Sequence, residues 1–308
     1  MFGRTPSRKN PVLRRSATRV ERLDANDLQF ADEMPAGMEV ELPGRGTAFV
    51  RIADGPRCAP TVLLVHGLFA TADLNWSLAV PVLATRFCVV APDLRGHGRG
   101  LPTRRFDGEE CADDLAAIVR ALELGPVIVV GYSLGGLIAQ LFARRHPDLI
   151  RGMVLCATAS VFQVPTGRGM LRAVDWAARR APEPLRRAAL MAVLAPSSAE
   201  TPRGRWMMDQ VRGHDTMAML DAIAEAGRFN SSEWLGANTV PAAVIVTAED
   251  RTVPAETQRA MSRTLGASIQ EMEADHFACI KHPREFNAAL FAACVGVSSR
   301  AGDEVQAP

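Results

Sequence analysis

The sequence Gly131-Tyr132-Ser133-Leu134-Gly135-Gly136 directly follows the apolar run Pro126-Val127-Ile128-Val129-Val130. That run predicts a short buried strand, and residues 134–145 have helical composition, ending at His146-Pro147. Strand, sharp turn and helix put a serine at the apex of the turn with its oxygen clear of the backbone. Glycines two positions before and after leave room for the turn. A serine hydroxyl is a poor nucleophile near neutral pH. It needs a histidine to take its proton, and a carboxylate to orient that histidine and stabilise the imidazolium. Two further strand ends supply both: Asp250 follows an apolar strand over 242–247, and His276 follows a strand over 267–272. Glu249 is the competing acid. An N-cap is the competing role for Ser133, and the flanking glycines argue against it. Among the other histidines, His66 and His97 suit structural hydrogen bonding, His146 and His282 precede prolines at helix boundaries, and His214 has no visible partner.

Positioning these residues takes a sheet. Strands are expected over 38–42 and 47–52, flanking the hairpin signal Pro43-Gly44-Arg45-Gly46, then over 61–65, 87–91 and 152–157. A helix is expected over 107–124 and a last one over 283–294. Short apolar strands alternating with longer helices imply βαβ units and a mostly parallel sheet flanked by helices. The alternation lapses over 160–238, a helical stretch holding Trp176, Trp206, Trp234 and six methionines. It reads as a helical cap inserted after the sixth strand, over the strand ends where open α/β sheets bind ligands. The expected organisation is a basic, disordered tail over 1–36, a core over 37–159 and 239–297, a cap over 160–238 and a polar tail over 298–308.

The chain resembles the α/β-hydrolase superfamily with a helical cap, from Met38 to Val295. The resemblance rests on His66-Gly67-Leu68-Phe69, Asp93-Leu94-Arg95-Gly96-His97-Gly98, Gly131-Tyr132-Ser133-Leu134-Gly135-Gly136, Ala248-Glu249-Asp250-Arg251-Thr252-Val253-Pro254 and Asp275-His276-Phe277. The order Ser133, Asp250, His276 is the order of that superfamily. Gly100 departs from it, where the family often has Ser or Thr. An oxyanion would be met by the Leu134 amide at a helix N-terminus. By resemblance the second donor is the Leu68 amide, with Phe69 the weaker alternative. Gly67, Phe69 and Tyr132 adjoin these donors and are candidate substrate contacts.

Serine at the elbow, rather than aspartate, sets the chain apart from the dehalogenases and epoxide hydrolases of the superfamily. Epoxide hydrolases also use cap tyrosines, and the only tyrosine here is Tyr132. The resemblance then implies acyl transfer to water with no cofactor and no metal. Ester hydrolysis is the default, on a medium-chain or lipid-like acyl group if cap tryptophans and methionines line the pocket. Alternatives are a carbon–carbon bond hydrolase of the meta-cleavage product type, a cofactor-free haloperoxidase-like enzyme and a non-catalytic binding protein. A pure binder has no chemical need for all three of Ser133, Asp250 and His276.

The 308 residues carry a net charge of +1, which offers nothing to nucleic acid. The six cysteines are scattered without metal-ligand spacing, which fits a reducing, cytoplasmic setting. No signal peptide and no membrane-spanning stretch are seen. The basic residues before position 20 suit a solvated tail or weak contact with anionic membrane. Residues 185–194 read as an ordinary cap helix, with an amphipathic helix at a lipid surface as the alternative.

Overall fold

A computed structural model describes residues 34–162, 176–194, 202–302, with side chains from 205 in the last segment. Eight strands form one sheet in the order β1-β2-β4-β3-β5-β6-β7-β8. They are β1 Gly37–Leu42, β2 Gly46–Ala53, β3 Thr61–Val65, β4 Cys88–Pro92, β5 Val127–Tyr132, β6 Ile150–Cys156, β7 Ala242–Thr247 and β8 Ser268–Met272. β1 and β2 form an antiparallel hairpin, β2 pairs antiparallel with β4, and every later pairing is parallel. The central strands β3 and β5 are buried along their whole length, as expected of strands covered on both faces. Edge strand β8 is half-exposed, which suits its mixed sequence Ser-Ile-Gln-Glu-Met.

Two layers of helices cover the sheet. Helices α3 (Gly108–Ala121) and α4 (Leu134–Arg145), with α8 (Ala255–Leu265), pack on one face through Leu115, Leu137, Ile138 and Met261. Helices α1 (Ala72–Trp76), α2 (Val80–Leu83) and α9 (Pro283–Arg300) cover the other through Trp76, Leu83, Phe286 and Leu290. Asp107 caps α3, its carboxylate accepting from the Glu109 and Glu110 amides. The expected α/β architecture is borne out, and α4 and β7 have the bounds read from sequence. One end differs. The final helix, expected to stop near position 294, runs to Arg300, so the polar tail expected from 298 begins inside it. Ser298 is buried, and the Arg300 guanidinium donates to the Ala242 carbonyl at 2.8 Å, which ties the last turn to β7.

Between β6 and β7 the chain leaves the sheet and forms helices α5 (Glu183–Leu194), α6 (Pro202–Arg212) and α7 (Thr216–Ala226). The insertion is docked onto the loop after β4. The Asp215 amide donates to the Gly96 carbonyl at 3.0 Å, and the Gly98 amide donates to His214 Nδ1 at 2.9 Å. Gly96 and Gly98 both have positive φ, and a Cβ on Gly96 would lie 2.5 Å from the Ala218 Cβ. Helix α5 is held within the insertion: Arg187 donates to the Arg212 carbonyl at 2.7 Å and Arg186 to Thr216 Oγ1 at 3.2 Å. The basic tail expected over 1–36 lies outside the described residues up to position 33, as do positions 163–175 and 195–201 of the insertion and the end of the chain from 303. No helix among the described residues is long and apolar enough to cross a membrane.

Candidate active site

Ser133 sits between the end of β5 and the start of α4 with φ 52 and ψ −116. A non-glycine residue in that region costs on the order of 1–3 kcal/mol, so the surroundings must hold it. They do so through the backbone. The Ser133 amide donates to the Cys156 carbonyl at 2.9 Å, and its carbonyl accepts from the Gly136 amide and Thr158 Oγ1, each at 2.9 Å. The need for glycine on both sides is geometric. A Cβ on Gly131 would lie 2.4 Å from the Gly135 carbonyl oxygen, and one on Gly135 would lie 2.1 Å from the Val65 oxygen.

The structure brings Ser133, His276 and Asp250 into one hydrogen-bonded line. Ser133 Oγ lies 2.9 Å from His276 Nε2, and His276 Nδ1 lies 2.7 Å from Asp250 Oδ2. Asp250 has no exposed side-chain surface. Its Oδ1 accepts from the Thr252 and Val253 amides, both at 2.8 Å, and its Oδ2 also accepts from Thr247 Oγ1 at 2.9 Å. With Gln258 Nε2, which donates to Oδ2 at 3.5 Å, five donors converge on the two oxygens, all treating them as acceptors. Glu249 is not part of this line. Gln258, buried on α8, braces Thr247 by donating to its Oγ1 at 2.9 Å and accepting from its amide at 3.1 Å.

The loop after β3 meets the elbow from the other side. A Cβ on Gly67 would come within 3.4 Å of the Ser133 Cβ. The Gly67 amide donates to Asn75 Oδ1 at 2.7 Å, and Asn75 Nδ2 donates to Cys279 Sγ at 3.2 Å, three residues beyond His276. Phe69 turns the loop with φ 60. Among the described residues, the Leu68 and Leu134 amides have no protein acceptor, which leaves both donors open to a ligand.

Tyr132, a candidate substrate contact on sequence, is buried with its hydroxyl engaged by the protein. Its ring is buried among Trp76, Phe286 and His276, and its hydroxyl donates to the His276 carbonyl at 2.8 Å. It anchors the turn that carries His276, and burial pushes its phenol well above the usual value. His66 and His97 are structural, as expected. His66 Nε2 accepts from the Leu94 amide at 2.9 Å while Nδ1 lies 2.9 Å from the Gly67 carbonyl. Full burial lowers its pKa to about 4. Cys279 is buried, consistent with a packing role. A Cβ on Gly100 would lie 2.1 Å from the Leu94 oxygen, so the departure from Ser or Thr follows from how tightly this loop closes.

Sequence reasoning missed Asn75, Thr158, Thr247 and Gln258. Gln258 carried a signal: it shares the buried stripe of α8 with Ala255, Met261 and Ser262, and an amide on an apolar stripe implies buried partners. Nothing in the sequence marked Asn75 or Thr158, whose partners lie on other elements.

A serine in a tight turn after β5, with an aspartate after β7 and a histidine after β8, is the arrangement found in α/β-hydrolase sites. The chain belongs to the alpha/beta hydrolase fold family, whose model matches residues 60–283. It is 31% identical over 244 residues to a pimeloyl-[acyl-carrier protein] methyl ester esterase of Chromobacterium violaceum, covering 75% of this chain and 92% of that one. A Neisseria meningitidis protein of the same description is 30% identical over 253 residues, covering 77% and 93%. Among solved structures, a thermophilic esterase from Thermogutta terrifontis superposes with a TM-score of 0.69 at 25% identity, covering 85% of this chain and 99% of that one. An enol-lactonase from Burkholderia xenovorans shares the fold, with a TM-score of 0.70 at 22% identity over 84% and 100%.

Proposed function

We propose that the protein is a serine hydrolase that cleaves carboxylic esters through an acyl-enzyme. The observation that carries the reading is the line from Ser133 Oγ through His276 to the fully buried Asp250. Ser133 Oγ attacks the ester carbonyl as its proton passes to His276 Nε2. Asp250 holds Nδ1–H and stabilises the imidazolium. The carbonyl oxygen, now an alkoxide, accepts from the Leu68 and Leu134 amides. His276 then gives its proton to the departing alcohol. Water, deprotonated by His276, attacks the acyl carbon, and as the intermediate collapses His276 returns that proton to Ser133 Oγ and the acid leaves.

The relatives described as methyl ester esterases favour a small alcohol as leaving group. The apolar residues of the insertion favour a medium-length acyl chain. The test is labelling with a fluorophosphonate, then turnover of p-nitrophenyl esters of increasing chain length. Labelling at Ser133 that is lost in Ser133→Ala, with turnover peaking at one chain length, is expected. Ester turnover undiminished in a folded Ser133→Ala variant would refute the assignment. Labelling without ester turnover would instead point to carbon–carbon bond hydrolysis.

A further inference from the structure

Where the insertion meets the core, four arginines line one cavity of about 310 Å³. Arg104 and Arg105 come from the core loop before α3, and Arg179 and Arg228 come from the insertion. Among the described residues, the only acid in the lining is Asp221 of α7. It is already committed, pairing with Arg179 at 2.7 Å and accepting from the Phe106 amide at 3.2 Å. Arg228 pairs with Glu225, outside the lining, at 3.1 Å. Among the described residues, Arg104 and Arg105 have no carboxylate partner. Like charges around a concavity repel one another and raise a positive potential inside it. An anion in the cavity removes that repulsion, and guanidinium forks match the oxygens of carboxylate and phosphate.

Two further properties narrow the ligand. The volume stands at the lower end of the roughly 300–1,000 Å³ span of small-molecule sites, which is more room than a bare oxyanion needs. The arginines also share the lining with the half-buried Met217 and Ala224, an apolar surface that a bare ion would leave unused. We propose that this cavity binds a small organic oxyanion, a phosphate monoester or a carboxylate. Its charged head lies among the four arginines and its apolar body against Met217 and Ala224. The lining comes from both sides of the junction, so the bound anion fastens the insertion to the core. The inference does not rest on the chemistry assigned to Ser133.

Thermal unfolding at constant ionic strength tests it, with phenyl phosphate, phenylacetate and inorganic phosphate titrated against chloride. A ligand that binds only the folded protein raises Tm with its concentration. The expected result is a concentration-dependent rise, beyond the chloride control, with phenyl phosphate or phenylacetate. The larger of the two identifies the head group. The Arg104→Gln/Arg105→Gln double variant and Arg228→Gln, all altered at exposed side chains, should need roughly ten-fold more ligand for the same rise. Arg120→Gln, at the far end of α3, should respond as the unaltered protein does. Three results would each overturn the proposal: no rise above the chloride control, an equal rise in the Arg104→Gln/Arg105→Gln variant, or a loss as large in Arg120→Gln. A response to inorganic phosphate matching the organic anions would overturn the apolar half of the assignment.

Discussion

Replacing Asp250 by asparagine tests the proposed chemistry with little change of shape. All five hydrogen-bond neighbours of the carboxylate are donors: the Thr252 and Val253 amides at Oδ1, and His276 Nδ1, Thr247 Oγ1 and, at 3.5 Å, Gln258 Nε2 at Oδ2. The new side-chain amide must turn its NH2 toward one of these two sets. Facing the two backbone amides would leave two buried N–H groups unpaired, at about 1–3 kcal/mol each. Facing His276 is cheaper, because the Thr247 hydroxyl can rotate and the imidazole can change tautomer. That tautomer carries its proton on Nε2 and cannot accept one from Ser133 Oγ. The same substitution in a serine protease lowers kcat about 10⁴-fold, which is about 5 kcal/mol of barrier. The assay is kcat for a p-nitrophenyl ester alongside the rate of fluorophosphonate labelling, and both should fall together while the melting temperature changes little. A loss of less than about ten-fold, or a larger loss in Glu249→Gln, would refute the reasoning.

Three more perturbations have defined outcomes. Asn75→Ala removes the acceptor of the Gly67 amide and frees the loop that presents the Leu68 N–H. kcat should fall on the order of ten-fold or more with KM nearly unchanged, and Asn75→Asp, which keeps the acceptor, should recover part of the loss. Gly131→Ala drives a Cβ to 2.4 Å from the Gly135 oxygen, so urea unfolding should show a loss of at least about 1–3 kcal/mol, on the scale of an overpacked core. Burial lowers the pKa values of His66 and His214 to about 4 and that of His97 well below its usual value. The unfolded chain therefore binds protons more readily than the folded one between about pH 6.5 and 4. Their contribution to stability is complete above that window and falls as the pH drops through it, by about 3 kcal/mol for His66. Urea midpoints measured from pH 7 to pH 4.5 should decline, and less steeply in His66→Gln.

Much of this protein is legible from local sequence. The strand ending before Ser133, helix α4 and strand β7 follow from apolar periodicity and from glycine and proline punctuation, which act over a few residues. Ser133 and Asp250 are legible because each follows an apolar strand, and His276 because it follows the last strand; a parallel sheet brings strand ends together at one edge. What only the tertiary structure decided concerns partners far apart in the chain. Tyr132 reads as a substrate contact from its place beside the serine, yet its hydroxyl is committed to the His276 carbonyl. Asn75 and Gln258 hold the site through hydrogen bonds to the Gly67 loop and to Thr247. The arginine-lined cavity joins a core loop to helices of the insertion. The physical reason is the same in each case. Backbone propensity and hydrophobic pattern are properties of neighbouring residues, whereas the direction of a polar side chain is set by whichever donor or acceptor the folded chain leaves within its reach.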